Sequence, residues 1–153
     1  MISTYDLCAL IERGDILYDV EGNTIEEVYT NTLNLTQLPD EYNKDFLKAE
    51  LLERERILST AVGNGIAIPH TRKPLITKDE DQRIIVSFLK NPLNMGQPDD
   101  KPVSTMFFLL NKNNQLHLQV LSTLAKLIHD EEFRAILEKK PQKEILLDRI
   151  KNA

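Results

Sequence analysis

Apolar and polar positions along this chain follow two rhythms, one of about 3.6 residues and one of two, and they exchange several times. Residues 5–11 carry apolar side chains at helical spacing, with Ser3 or Thr4 available as N-cap. Ile16, Leu17, Tyr18 and Val20 suit a short strand over 15–20, closed by the turn residues Glu21, Gly22 and Asn23. Thr24 and Glu27 form a capping box ahead of a helix whose stripe is Ile25, Val28, Tyr29, Leu33 and Leu35. Pro39 and Asp40 open a second helix over 40–56, with Tyr42, Phe46, Leu47, Leu51 and Leu52 on its apolar side. Residues 66–68 read as a short buried strand ending at Pro69, and 83–89 and 103–110 as two β-branched, apolar strands flanking a turn-rich loop at 92–102. After a polar turn at 111–114, a helix over 116–128 turns Leu116, Val120, Leu121, Leu124 and Leu127 inward. Asp130 caps a further helix to about 139, with Phe133, Ile136 and Leu137 apolar, and Pro141 begins a last one to about 150.

Helices alternate with strands, and two strands are near-continuous apolar runs. A strand apolar on both sides must be covered on both sides, so the pattern predicts an α/β fold with helices on both faces of the sheet. At 153 residues the chain fits a single domain, 1–153, that buries about two thirds of its unfolded surface. A formal charge of -5, with no long basic block, argues against nucleic acid as partner. The single cysteine, Cys8, excludes an internal disulfide and a cysteine-rich metal site, and three widely spaced histidines do not make a zinc motif. No signal peptide is visible, and no apolar run approaches the roughly 20 residues of a membrane span. A reducing cytoplasm is the expected compartment, without membrane insertion.

The densest chemistry lies in LERERILSTAVGNGIAIPHTR, residues 52–72. Arg54 falls in the last turn of its helix, where a cation is favoured by the macrodipole. Its planar fork matches phosphate oxygens. Ser59 and Thr60 follow, able to bond local backbone or a phosphoryl oxygen, with loop ordering as the expected task. Gly63, Asn64 and Gly65 form a turn whose consecutive N–H groups are candidates for an anion cradle. His70 then stands at a strand end with a lone-pair nitrogen at neutral pH, as a nucleophile or as a histidine that merely caps the strand. His117 lies in the first turn of the 116–128 helix, where the dipole favours an anion and keeps the imidazole neutral. For Arg54 the alternative is a solvated place in the Glu53–Arg56 charge run, and for His117 an ordinary surface histidine. Glu55 either pairs with an arginine and holds the loop or is solvated. His129 reads as a surface or structural residue, and Cys8 as a buried, inert thiol.

The segment resembles the active-site region of the phosphotransferase-system enzyme IIA family of the fructose, mannitol and nitrogen-regulatory type. The resemblance rests on Arg54-Glu55, Ser59-Thr60, Gly63-Asn64-Gly65-Ile66-Ala67 and Pro69-His70, and continues with His117-Leu118 and Leu121-Ser122. It implies a three-layer α/β/α sandwich with a mixed sheet. It also implies a phosphohistidine carrier, with the phosphoryl group on His70 and Arg54 and His117 flanking it, and with no cofactor or metal. The implied donor is the carrier protein HPr or its nitrogen-branch counterpart NPr. The implied acceptor is a cysteine of a IIB domain, or, in the nitrogen branch, a regulatory target that reads the phosphorylation state. The segment 117–126, HLQVLSTLAK, and a chain ending soon after its last helix favour the nitrogen-regulatory kind. A sugar-specific IIA component and a binding module that never carries phosphate are the alternatives. Two residues depart from the usual pattern: Ala61 and Thr71 stand where glycine is common, and the loop 91–101 is longer and more polar than expected.

Overall fold

The two apolar runs become the central strands of a five-stranded mixed sheet in a computed structural model that describes residues 4–153. In chain order the elements are α1 (Thr4–Arg13), β1 (Ile16–Val20), α2 (Ile25–Leu35), α3 (Lys44–Ile57), β2 (Ala61–Gly63), β3 (Ile66–Ala67), a 3₁₀ turn (Asp79–Asp81), β4 (Arg83–Leu93), β5 (Val103–Leu110), α4 (Asn114–Ile128), α5 (Glu131–Glu138) and α6 (Lys143–Lys151). The strand order is β1-β4-β5-β3-β2. β1 runs parallel to β4, β4 antiparallel to β5, β5 parallel to β3, and β3 antiparallel to β2.

Side chains alternate across the sheet, and both sides are apolar. Ile84, Val86 and Phe88 of β4 and Phe107 and Leu109 of β5 enter one core, packed by α1, α4, α5 and α6. Ile85 and Leu89, with Val103, Met106, Phe108 and Leu110, enter the other, packed by α2 and α3. Two cores separated by one sheet make a three-layer α/β/α sandwich. Phe88, Phe107 and Phe108 are fully buried, each contributing about 1.5–3 kcal/mol of hydrophobic stabilisation.

Several boundaries differ from the expectation. The second helix starts at Lys44, with Asn43 as its N-cap accepting from Phe46 N–H at 3.0 Å; Pro39 and Asp40 lie in the preceding turn. Its buried line is Leu47, Leu51 and Glu55, spaced by four, while Phe46 is 54% exposed. Leu35 likewise points outward. Ala61 joins the short strand β2, and β4 extends to Leu93 with its register broken after Phe88. The last helix begins two residues beyond Pro141, after Gln142. Ser3 lies outside the described residues. The capping pattern at α2 is present: Thr24 Oγ1 accepts from Glu27 N–H at 3.1 Å, and Glu27 Oε1 accepts in return from Thr24 Oγ1 and Asn23 N–H.

α1 is held against the sheet through Gly14, where the chain turns from helix into strand. A Cβ at Gly14 would lie 1.9 Å from the carbonyl oxygen of Ile84, a backbone atom of a central strand. Gly14→Ala is therefore expected to destabilise the fold by about 3 kcal/mol. That lowers Tm by roughly 10 °C in a thermal scan followed by circular dichroism.

Candidate functional site

The site forms where the carboxyl ends of the parallel pair β3 and β5 meet the end of α3 and the start of α4. Crevices of this kind, outside strand carboxyl ends, are where open α/β sheets bind ligands. The line of β3 continues past its last ladder residue. Pro69 has no N–H to give, but its carbonyl accepts from Leu109 N–H at 2.9 Å, and His70 bridges to Leu109 in the same parallel sense. His70 is thus set by the sheet itself. Its ring is set by Ile68, whose carbonyl lies 2.8 Å from Nδ1. A carbonyl only accepts, so Nδ1 carries the proton and Nε2 holds the free lone pair.

His117 comes from α4, which β5 feeds through Asn111 and Lys112. Asn113 caps this helix by accepting from Leu116 N–H at 2.7 Å, and Asn111 Nδ2 donates to the Asn113 carbonyl at 2.5 Å. The cap holds the first turn so that the His117 ring stands against that of His70, with centroids 4.1 Å apart at an interplanar angle of 44°. His117 Nε2 is sealed from solvent and unpartnered. His70 is 6% exposed, more enclosed than an open phosphoryl perch would suggest, because the ring lies in the sheet line and under the second imidazole. His70 Nε2 is not among the buried, unpartnered side-chain atoms of the described residues, as His117 Nε2 is.

Arg54 closes the third side. Its Nη1 donates to the carbonyl of Leu58 at 2.5 Å, so the guanidinium folds over the loop that follows its own helix and not onto a carboxylate. Its charge reaches both rings. Burial holds His70 below its ordinary pKa, the Ile68 bond opposes this, and Arg54 adds to the lowering. His117 is brought down to about 4, by burial first, then by His70 and Arg54. Two adjacent imidazoles held towards the neutral form, within reach of one cation's charge, are of a kind that can accept an anion.

Ser59 and Thr60 lie beside this group. Ser59 Oγ accepts from Ala61 N–H at 3.1 Å, and Thr60 Oγ1 donates to Glu55 Oε1 at 2.6 Å, so both hydroxyls order the loop. Gly63, Asn64 and Gly65 are not brought to the imidazoles, contrary to the anion-cradle expectation. Asn64 and Gly65, with φ of 57° and 78°, are the two central residues of a hairpin turn between β2 and β3. From Gly65 to His70 the chain runs extended for roughly 16 Å. The Asn64 N–H is already taken by the carboxylate of Asp99 at 2.8 Å. Short glycine turns serve hairpins as readily as anions, and the segment alone does not distinguish them.

Glu55 pairs with no arginine. It turns inward on the Leu47–Leu51 line and accepts from Tyr29 and Thr60. The spacing by four was visible in the sequence, whereas the Tyr29 partner was not. Thr71 is buried and donates to the Lys73 carbonyl at 2.6 Å, tying down the chain after His70. His129 is exposed at the end of α4, and Cys8 is buried with Sγ 3.6 Å from the Leu147 carbonyl.

The depressed His117 has a stability consequence. Its folded-state pKa lies below the unfolded value of about 6.5, so the unfolded chain binds the extra proton first. The contribution is complete above about pH 6.5 and is lost as pH falls towards 4. Urea melts across that window should show falling stability, less steeply in His117→Gln, and ring NMR should find His117 titrating near 4.

Comparison with known proteins bears on the family and the fold. The family model described as "Phosphoenolpyruvate-dependent sugar phosphotransferase system, EIIA 2" matches residues 9–153. The nitrogen regulatory protein of Pseudomonas aeruginosa is 30% identical over 141 residues, 90% of this chain and 89% of that one. The crystal structure of nitrogen regulatory protein IIA-Ntr from Neisseria meningitidis has a TM-score of 0.73 at 24% identity, covering 94% of each chain. Enzyme IIA-MTL of Escherichia coli, solved in complex with phosphorylated enzyme IIB-MTL, has a TM-score of 0.65 at 18% identity, covering 88% of this chain and 94% of that one. At such identities the two structures speak for the fold. Since the matched residues span the sheet, both helical layers and the histidine crevice, the chain belongs to the EIIA type-2 family of the phosphoenolpyruvate-dependent sugar phosphotransferase system.

Proposed function

We propose that this protein is a phosphocarrier that accepts a phosphoryl group on Nε2 of His70 and passes it on, or signals by holding it. The observation that carries this reading is the His70 Nδ1 bond to the Ile68 carbonyl, which leaves Nε2 as the nucleophile. The Nε2 lone pair forms the new N–P bond while the pair of the broken N–P bond stays on the donor histidine. No proton leaves the attacking nitrogen, and the other ring proton stays on Nδ1, donated to the Ile68 carbonyl. The negative phosphoryl oxygens then meet the groups that lacked an anion. Arg54 supplies its remaining N–H donors, and His117 in its Nε2–H form gains a partner for an atom that has none. Phosphoryl transfer asks for positioning and charge stabilisation more than for covalent chemistry, and these residues provide both. The near-enclosure of His70 limits access of bulk water, which guards the N–P bond against hydrolysis.

The donor in this reading is a phosphohistidine carrier of the HPr or NPr type, which places the protein in the cytoplasm. Leu58 and Leu118, adjacent in sequence to the loop and to His117, are 68% and 65% exposed and offer apolar footing for a protein partner. The acceptor is a regulatory target or a IIB cysteine. Likeness to a nitrogen regulatory protein over nearly the whole chain favours the first. The IIA-MTL fold, solved with a phosphorylated IIB, keeps the second in view.

Incubation with phosphoenolpyruvate, enzyme I and HPr or NPr should add one acid-labile phosphate by intact mass, lost in a folded His70→Ala variant. Persistence of the label in that variant would remove His70 from the mechanism. Arg54→Ala should slow uptake by about 10²-fold, as loss of one preorganised charge stabiliser does elsewhere. Arg54→Lys should also slow it, since a point charge replaces the fork. His117→Ala should impair transfer more than it lowers Tm; unimpaired kinetics would return His117 to a packing role.

A further inference from the structure

Beneath the site lies a buried carboxylate that does not itself face the imidazoles. Glu55 is 9% exposed, one helix position from Arg54. Successive helical residues diverge by about 100°, so Arg54 faces the crevice while Glu55 faces the core between α2 and α3. Three donors converge on it: Tyr29 Oη at 2.7 Å to Oε1, Thr60 Oγ1 at 2.6 Å to the same oxygen, and Thr60 N–H at 2.8 Å to Oε2. Tyr29 is itself fully buried, on α2, edge-on to Phe108 of the central strand at 5.2 Å. Burial and the adjoining carboxylate push its phenol far above the ordinary range, so it remains a proton donor throughout physiological pH.

The network reaches the reacting groups in two directions. Thr60 holds the far end of the loop whose Leu58 carbonyl receives the Arg54 guanidinium. The carbonyl of Thr60 also accepts from Ile68 N–H at 3.0 Å, and the carbonyl of Ile68 accepts from His70 Nδ1. One carboxylate therefore stands at the root of two short chains of hydrogen bonds, one ending on the guanidinium and the other on the imidazole. A core filler would need none of this. A buried carboxylate between two helices is a liability unless every lone pair is used, and an apolar side chain would pack there at less desolvation penalty.

We propose that Glu55 is a positioning residue of the phosphotransfer site, which through Thr60 presets the Arg54 guanidinium and the His70 ring relative to each other before the phosphoryl group arrives. The proposal rests on the phosphohistidine reading of His70. Tyr29 steadies the carboxylate, and Thr60 transmits its position. The device exerts its effect on the transfer step and not on partner docking, because Glu55 is covered and the docking face is not.

The test compares Glu55→Ala, Thr60→Val and Thr60→Ser with the wild type in the reconstituted assay at 25 °C, folding being checked by circular dichroism. Misplacement of reacting groups by about 1 Å slows such steps by as much as 10²-fold. Glu55→Ala is accordingly expected to lower kcat by one to two decades, with KM for the donor protein little changed. Thr60→Val, which keeps its N–H but loses the hydroxyl, should fall between, and Thr60→Ser should restore the wild-type rate. A second readout needs no phosphorylation: ¹H–¹⁵N NMR of the His70 ring. The wild type should hold the Nδ1–H tautomer, and Glu55→Ala and Thr60→Val should shift towards a mixture. Where Glu55→Ala fails to fold, Thr60→Val carries the test. Wild-type kcat together with an unshifted tautomer in the folded variants would overturn the proposal. Were the wild type itself to take up no phosphate, the carrier reading would fail, and the tautomer comparison would still decide the role of Glu55.

Discussion

The parallel pairing of residues 66–70 with β5 is the constraint on which the rest of this molecule depends. It is a short pairing, two ladder residues in β3 and one bridge at His70, yet it lies between the two cores and carries His70 at its end. Ile66 and Ile68 point into one core and Ala67 into the other, so the strand is held from both sides by apolar packing. A one-residue slip would exchange these faces, and both cores oppose it. The position of the His70 backbone is thereby fixed by hydrophobic burial on both faces of its strand. A rigid strand places a reactive side chain more narrowly than a free loop does.

The electrostatics of the site follow from what surrounds that strand end. The strand end brings two imidazoles together within reach of the Arg54 charge, while the carboxylate of Glu55, next to Arg54 in sequence, turns into the core. Burial alone would favour neutral imidazoles, and Arg54 strengthens the preference. The result is a His70 ring whose Nδ1 is engaged by the Ile68 carbonyl, beside a His117 whose buried Nε2 lacks a partner. The cap at Asn113 contributes by fixing the first turn of α4, and with it the His117 ring.

Much of the fold was legible because burial on both faces leaves a plain mark: β5 matches the expected span, and the helices α2, α4 and α5 fall within a few residues of theirs. The weaker readings came where signals are ambiguous. Pro39 and Asp40 carry start-of-helix chemistry, but Asn43 supplies the cap in fact, because its side-chain oxygen reaches Phe46 N–H. Phe46 matches a helical stripe by spacing, yet lies on the solvent side once Leu47, Leu51 and Glu55 define the buried line. Gly63, Asn64 and Gly65 have the composition of both a hairpin turn and an anion nest, and only the pairing of β2 with β3 shows which.

Local sequence by itself determined the layered α/β architecture and the caps at Thr24, Asp130 and the 111–114 region, and it offered His70, Arg54 and His117 as candidates, since each is a matter of near-neighbour spacing or of residue type. Tertiary structure alone decided which of these meet. His70 and His117 are 47 positions apart in sequence and meet only because β5 lies beside β3 and leads into α4. Tyr29 and Glu55 are 26 apart and bond only because α2 packs beside α3 on the same face of the sheet. Such contacts depend on how elements are stacked, which hydrophobic burial sets collectively and no single segment encodes.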